Sequence, residues 1–225
     1  GSITSSVSAN VAAGFSIVTY TSTTGTIGHG LSQVPDMIIQ KARNVTDQWT
    51  VGHKDLNAGS NAWNYGIPLN VTTATQTNSG FWNNTAPTSS VFSNGSWDNG
   101  YTKVAYCFHS VDGYSKVGSY TGNGSADGTF VHCGFRPAYV MVRVTNIASS
   151  GLVFDTKRAV YNVVNNIELA PNSSGAEGAD AGDISHDILS NGFKWRATGG
   201  DVNGSGNTYI FLAFAENPFK HTNAR

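Results

Sequence analysis

The sequence predicts an all-β protein that contains two copies of one β-rich unit. Two observations lead to this prediction, the composition and an internal repeat. Glycine accounts for 26 of the 225 residues, aromatic residues make up 11%, and only 12% of the chain is charged. This composition is typical of short strands joined by tight turns, whereas helices are richer in Glu, Lys, Leu and Ala.

The repeat is clearest in two pairs of segments. GFSIVTYTSTTG (Gly14–Gly25) and GYSKVGSYTGNG (Gly113–Gly124) carry glycine, an aromatic residue, serine and Tyr-Thr in the same order. GHGLSQVPDMIIQKARN (Gly28–Asn44) parallels HCGFRPAYVMVRVTN (His132–Asn146), with a proline before an apolar run in both. Matches that keep their order along the chain indicate a duplication.

Two further pairs define where the copies end. VFSNG (Val91–Gly95) aligns with ILSNG (Ile188–Gly192), and YTKVAYCF (Tyr101–Phe108) aligns with NTYIFLAF (Asn207–Phe214). These matches predict a tag remnant and lead-in over residues 1–13, copy one over 14–112 and copy two over 113–225.

Each copy is predicted to form strands. The apolar runs after Pro35 and Pro137 are short, rich in β-branched residues and bounded by turn residues. A proline is tolerated at the first residue of a strand, so both copies start an inner strand at the same place. Two arrangements fit: tandem β-sandwiches of jelly-roll type that pack tightly, or one sandwich that both copies form about a pseudo-twofold axis.

Charge and hydropathy exclude two classes of partner. The net charge is −1 and there is no run of Lys or Arg, so we expect no nucleic-acid binding. No apolar run approaches the length of a membrane span, so we expect no membrane insertion. Cys107 and Cys133 lie in apolar, strand-like runs without metal-type spacing and are predicted to be buried thiols, with a disulfide left open.

Nothing in the sequence indicates catalysis. Only three glutamates occur, and the nucleophile, metalloprotease and phosphate-binding motifs are absent. We therefore expect no enzyme and no cofactor, with calcium as the one possibility left open. Its candidate ligands are Asp180, Asp183 and Asp187, in an acidic loop that copy one lacks and that equally fits a solvated loop.

Aromatic residues in copy one give the candidate binding site. The ligand-binding candidates are Trp63, Tyr65, Trp82, Trp97, Asn64 and Asn83. Copy two has no equivalent of Trp63 or Trp82, and residues present in one copy only are freer to specialise. An aromatic face can pack on a sugar ring while amides bond its hydroxyls. The alternative is that these aromatics fill a core or a trimer interface.

Several motifs carry a resemblance to a known family. They are Gly113–Gly124, FDTKR (Phe154–Arg158) and TYIFLAFAENPFK (Thr208–Lys220). The chain resembles, from Gly14 to Arg225, a repeat domain at the C-terminal ends of tail-fibre and other virion proteins of marine, often cyanobacterial, phages.

The resemblance implies a location in the virion, at the distal end of a fibre or spike. It implies attachment to a host-surface glycan or protein, other virion proteins as neighbours, and a homotrimer. No catalytic or binding residues come with it. A purely structural decoration or fibre-assembly module and a polysaccharide depolymerase are the alternatives.

Overall fold

The computed structural model describes residues 1–158, 167–179 and 183–218. The prediction of an all-β protein is confirmed, because antiparallel strands dominate and the one α-helix of the described residues, α1, spans only Ser79–Trp82. No helix in those ranges has the length and apolar character needed to cross a membrane. The chain forms two compact units, unit 1 over Gly1–Ser110 and unit 2 from Val111 onward.

Unit 1 contains a large antiparallel sheet and a small one. Its strands are β1 (Ser5–Asn10), β2 (Phe15–Thr21), β3 (Gly25–Gly28), β4 (Met37–Ala42), β5 (Thr50–His53), β6 (Tyr65–Pro68), β7 (Gln76–Thr77), β8 (Val91–Asn94) and β9 (Thr102–Phe108). The large sheet has the order β1-β2-β9-β4-β5-β6-β7, and β3 pairs with β8. Alternation in β9 buries Lys103, Ala105 and Cys107 on one face, as expected for a strand with one face on a core.

The described residues of unit 2 form three antiparallel sheets. Its strands are β10 (Ser115–Thr121), β11 (Phe130–His132), β12 (Pro137–Val144), β13 (Gly151–Asp155), β14 (Ile167–Glu168), β15 (Gly178–Ala179), β16 (His186–Leu189), β17 (Gly192–Trp195) and β18 (Thr208–Ala215). The sheet orders are β10-β18-β12-β13, β11-β17-β16 and β14-β15. The core between them is aromatic: Tyr120 stacks on Tyr209 at 4.7 Å, and Trp195 lies 5.6 Å from Phe154.

The two units share a strand order. β2-β9-β4-β5 in unit 1 matches β10-β18-β12-β13 in unit 2, and the pair β3-β8 matches β11-β17. The registers give residue equivalences: Tyr20 opposes Lys103 as Tyr120 opposes Tyr209. Gly52 opposes Ile38 as Phe154 opposes Val140.

These registers correct one sequence alignment. β8, which holds VFSN, occupies the place of β17, so Asn94 corresponds to Trp195. The segment ILSNG lies instead at the end of β16 and the turn into β17. The sequence alignment was wrong because Ser, Asn and Gly are common turn residues, so the same tripeptide can occur in turns that are not equivalent.

The segment 1–13, which we expected to be a lead-in, forms part of the unit 1 sheet. β1 pairs with β2 over six residues, from Ser5 opposite Tyr20 to Asn10 opposite Phe15. The amide of Ile3 also donates to the carbonyl of Thr26 at 2.9 Å. The segment therefore extends the large sheet as its edge strand.

Both cysteines are free and buried, as predicted. Burial raises the pKa of Cys107 to about 12, and burial likewise raises that of Cys133 to about 12. Neither thiol therefore forms a thiolate near neutral pH, so neither is a reactive nucleophile.

Candidate functional site

The six candidate binding residues come together in unit 1. Trp63 and Asn64 lie in the turn Ala62–Asn64, directly before Tyr65 at the start of β6. Trp82 ends α1 and Asn83 follows it. Trp97 lies in the loop after β8, which we call the Trp97 loop (Gly95–Tyr101). The carbonyl of Asn64 accepts from Asn78 at 3.0 Å, which connects the turn to α1.

Trp63 and Trp82 belong to the core of unit 1 and do not form a ligand surface. Trp82 is fully buried and Trp63 nearly so. Their rings meet edge to face at 5.4 Å. Both indoles occupy the space above Gly52, where an added Cβ would lie 2.6 Å from each ring. Two tryptophans thus fill the volume that a side chain would otherwise take on β5.

The polar candidates lie nearer the surface. Asn64 and Tyr65 are half-buried, and Asn83 is exposed. Asn83 ends α1 in the left-handed conformation, with φ 52°, and its amide donates to the carbonyl of Ser79 at 2.8 Å. Asparagine tolerates this conformation better than most residues, so the residue type fits the turn.

Trp97 is the one exposed member of the four aromatic candidates. Its exposed fraction is 54%. One edge of the ring packs against Phe81 at 5.5 Å, and its backbone amide donates to the carbonyl of Gly80 at 3.1 Å. An added Cβ on Gly80 would lie 3.0 Å from the Cβ of Trp97, so glycine is required for this close approach.

Hydrogen bonds to Ser22 stabilise the Trp97 loop. Gly100 donates to the carbonyl of Ser22 at 2.7 Å, and Ser22 donates to the carbonyl of Tyr101 at 2.8 Å. The Ser22 hydroxyl also donates to the carbonyl of Asp98. Ser22, which follows β2, thus stabilises the Trp97 loop in addition to the contacts that Trp97 makes with Gly80 and Phe81.

A buried ion pair completes this support. Lys103 Nζ lies 2.6 Å from Asp98 Oδ2, and both side chains are almost wholly buried. The same ammonium donates to Asn94 Oδ1 at 3.3 Å. Burial lowers the pKa of Lys103, although the hydrogen bond and the charge of Asp98 oppose this shift. Sequence analysis missed the pair, yet the alternation in TKVAYCF places Lys103 on the same face as Ala105 and Cys107.

Comparison with known protein families gives a match that includes all the site residues described above. A family model described as "Domain of unknown function (DUF7483)" matches residues 1–218. The chain belongs to this family. The match includes the Trp97 loop of unit 1 and the aromatic core of unit 2. No curated protein and no solved structure matches the DUF7483 chain.

The structure describes two of the three candidate calcium ligands, Asp183 and Asp187. Asp180 lies outside the described residues. Asp187 Oδ2 accepts from Arg196 Nε at 2.6 Å, and Asp183 is exposed. Within residues 1–158, 167–179 and 183–218, no three His, Cys, Asp or Glu side chains are grouped closely enough to hold a metal ion.

Proposed function

We propose that this protein is a host-attachment domain at the distal end of a phage fibre, and that its contact surface is centred on Trp97. The exposed indole on a fixed loop is the observation that carries the proposal. A large aromatic side chain in water loses the stabilisation that burial would give it. Aromatic anchors of this kind supply much of the energy at binding surfaces.

The setting of Trp97 supports binding over packing. The ring of Trp97 packs against Phe81. Two polar residues of the same loop, Ser96 and Asn99, are exposed. Because hydrogen bonds and an ion pair already fix the loop, little conformational entropy is lost when a ligand arrives. An exposed aromatic with polar neighbours suits a surface glycan or a polar protein surface.

The virion location rests on the resemblance of the sequence motifs to phage fibre ends. We propose further that the two units arose by duplication, which the shared strand order supports. A fibre end of this kind would be a homotrimer with other virion proteins as neighbours. Several weak sites in one trimer would then attach firmly through multivalency.

We propose binding without cleavage. Two of the three glutamates are engaged by arginines: Glu216 Oε2 lies 2.8 Å from Arg136 Nε, and Glu177 pairs with Arg158. A glycosidase needs a carboxylic acid and a carboxylate that face one substrate. Carboxylates bound to arginine are poor general acids, because the positive charge favours the ionised form.

One observation favours a fibre-assembly module as the second candidate. Strand β1 is the edge of the large sheet, and its residues from Ser6 to Asn10 are exposed. Val7, Val11 and Ile17 are exposed near this edge, which has no proline or charge to block pairing with another chain.

The test is binding of labelled protein to a panel of marine bacterial strains, cyanobacteria included. We expect Trp97→Ala to weaken binding at least about tenfold, as for a typical aromatic anchor. Phe130→Ala is the matched control, because Phe130 is an exposed aromatic in unit 2. Binding that is equally strong in both variants would refute the Trp97 surface, and absence of binding to every strain would favour the assembly module.

A further inference from the structure

We infer that the ligand of the Trp97 surface is a neutral sugar, an uncharged pyranose of a larger glycan. The inference rests on the proposed function and deepens it, because it selects one ligand class from those that an attachment domain could bind. Two observations carry it: the absence of charge from the segment that builds the surface, and the internal neutralisation of the nearest charge.

The segment that shapes the surface contains no charged side chain. From Leu56 to Trp97 the sequence has no Asp, Glu, Lys, Arg or His. This range includes the turn Ala62–Asn64, β6, α1 and β8, and therefore Phe81, which supports Trp97. In a chain of low charge content this is still a long uncharged stretch.

The first charge after Trp97 points inward. Asp98 is buried and its carboxylate is bound by Lys103 at 2.6 Å. The ammonium of Lys103 is itself buried and also donates to Asn94. Neither charge is therefore available to a ligand on the outer side of the loop.

A neutral surface selects against charged ligands. A carboxylate or sulfate that loses water on binding must gain a cation or several donors in return. Neither the uncharged segment nor the Asp98–Lys103 pair offers such a cation. The exposed Arg43 bonds through its backbone to Thr102 at 2.7 Å, past the end of the Trp97 loop. A neutral sugar has no such requirement, since its hydroxyls exchange bonds to water for bonds to amides and hydroxyls.

The shape of the surface favours a sugar over an apolar peptide. A helix or strand with apolar anchors needs a groove with several apolar side chains. Here the exposed side chains of the Trp97 loop are two polar groups, Ser96 and Asn99, and two aromatic rings, Trp97 and Tyr101, the second of which carries a hydroxyl. Two isolated aromatic rings with hydroxyl and amide groups beside them in the loop match a pyranose better than they match a row of apolar anchors.

The experiment measures binding of the full chain to paired polysaccharides of the same backbone. The pairs are dextran with dextran sulfate, and neutral galactan with sulfated galactan. We expect the neutral member of at least one pair to bind, and the sulfated member to bind at least about tenfold more weakly. Binding should change less than about twofold between ~50 mM and ~500 mM NaCl, because no ion pair forms. Trp97→Ala should abolish binding and Phe130→Ala should leave it unchanged.

Each other result overturns the inference in a recognisable way. Tighter, salt-sensitive binding of the sulfated members would show an anionic ligand, while Trp97-dependent attachment to cells would still support the proposed function. Binding of a neutral glycan that survives Trp97→Ala would place the sugar elsewhere. Attachment to cells that depends on Trp97, without binding to any neutral glycan from the same cells, would show that the ligand is not a neutral sugar. If the unsubstituted protein attached to no strain of the panel, the proposed function would be refuted as well.

Discussion

The two units place different chemistry at the same position of the same strand order. In unit 1, Tyr20, Asn94 and Lys103 form a buried polar cluster together with Asp98. The corresponding residues of unit 2, by register, are Tyr120, Trp195 and Tyr209, and they form an aromatic stack. The unit with the polar cluster is the one whose adjoining loop presents an exposed tryptophan.

The difference shows how one scaffold separates stability from presentation. A buried ion pair stabilises a fold less than apolar side chains of similar volume, because both charges lose water. The aromatic rings of unit 2 carry no charge, so this penalty is absent there. The polar cluster of unit 1 in return fixes the direction of the Trp97 loop through Asp98, which a stack of rings does not do. The following four predictions test this comparison.

The largest effect is expected from Lys103→Met. The variant leaves the Asp98 carboxylate buried without its cation, and removing one partner of a buried pair costs about 3–5 kcal/mol of unfolding free energy. The corresponding change in unit 2, Tyr209→Phe, removes a hydroxyl that donates to Gly200 at 2.7 Å and accepts from the backbone N–H of Gly204 at 2.8 Å, and it should cost about 2 kcal/mol. Urea unfolding followed by fluorescence and circular dichroism measures both, and equal losses would contradict the account.

The next effect is the pH dependence of unit 2. His186 lies between Phe154 and Trp195 at ring distances of 4.5 and 5.2 Å, and burial lowers its pKa to about 4. Because the unfolded chain takes up this proton near pH 6.5, the free energy of unfolding should fall as pH drops from about 7 to about 4. The loss should reach about 3 kcal/mol.

The control for this pH effect is His186→Leu. The variant has no imidazole to protonate, so its urea midpoint should vary less between pH 7 and pH 4.5 than that of the natural protein. An identical pH dependence in both proteins would assign the effect to other groups.

A smaller loss is expected from Gly52→Ala. The methyl group would enter the space of Trp63 and Trp82, and overpacking of this kind costs about 1–3 kcal/mol. Gly28→Ala is the control, since the nearest atom to its added Cβ is 4.0 Å away. Thermal unfolding should separate the two variants, and an unchanged midpoint in Gly52→Ala would show that the indoles do not depend on the glycine.

The smallest effect is expected from Ser22→Ala. The change removes the hydroxyl that donates to Asp98, which is worth about 1 kcal/mol. Amide hydrogen exchange should become faster at Gly100 and Tyr101 and stay unchanged in β17 of unit 2. Unchanged exchange in the Trp97 loop would mean that the hydroxyl does not help to fix it and that the ion pair and the backbone bonds suffice.

The sequence predicted the strands better than the surroundings of individual side chains. Composition and turn residues indicated strands, because those signals are local. Whether Trp63 or Trp82 is exposed depends on Gly52 of strand β5, which is distant in sequence from Trp82, so no local signal reveals it. The structural counterpart of Asn94 also has no local signal. The sequence aligns Asn94 with Asn191, because both lie in a Ser-Asn-Gly turn motif, whereas the strand registers pair its position with Trp195.

The support of the site was partly within reach of sequence reasoning. Lys103 alternates with Ala105 and Cys107, and this predicts a buried lysine that must find a partner. Its partner Asp98 is close in sequence. Which loop the pair would hold, and that the loop would leave Trp97 exposed, depended on the position of Ser22 and Gly80, and only the fold brings these together.

The most direct test of the Trp97 surface is the set of indole N–H signals in a heteronuclear NMR spectrum. The protein has five tryptophans, and Trp97→Ala identifies the signal of interest by its loss. On addition of surface polysaccharide from a strain that the protein binds, we predict that the Trp97 signal shifts while those of Trp82 and Trp195 stay in place. A shift of other indole signals with Trp97 unchanged would contradict the account.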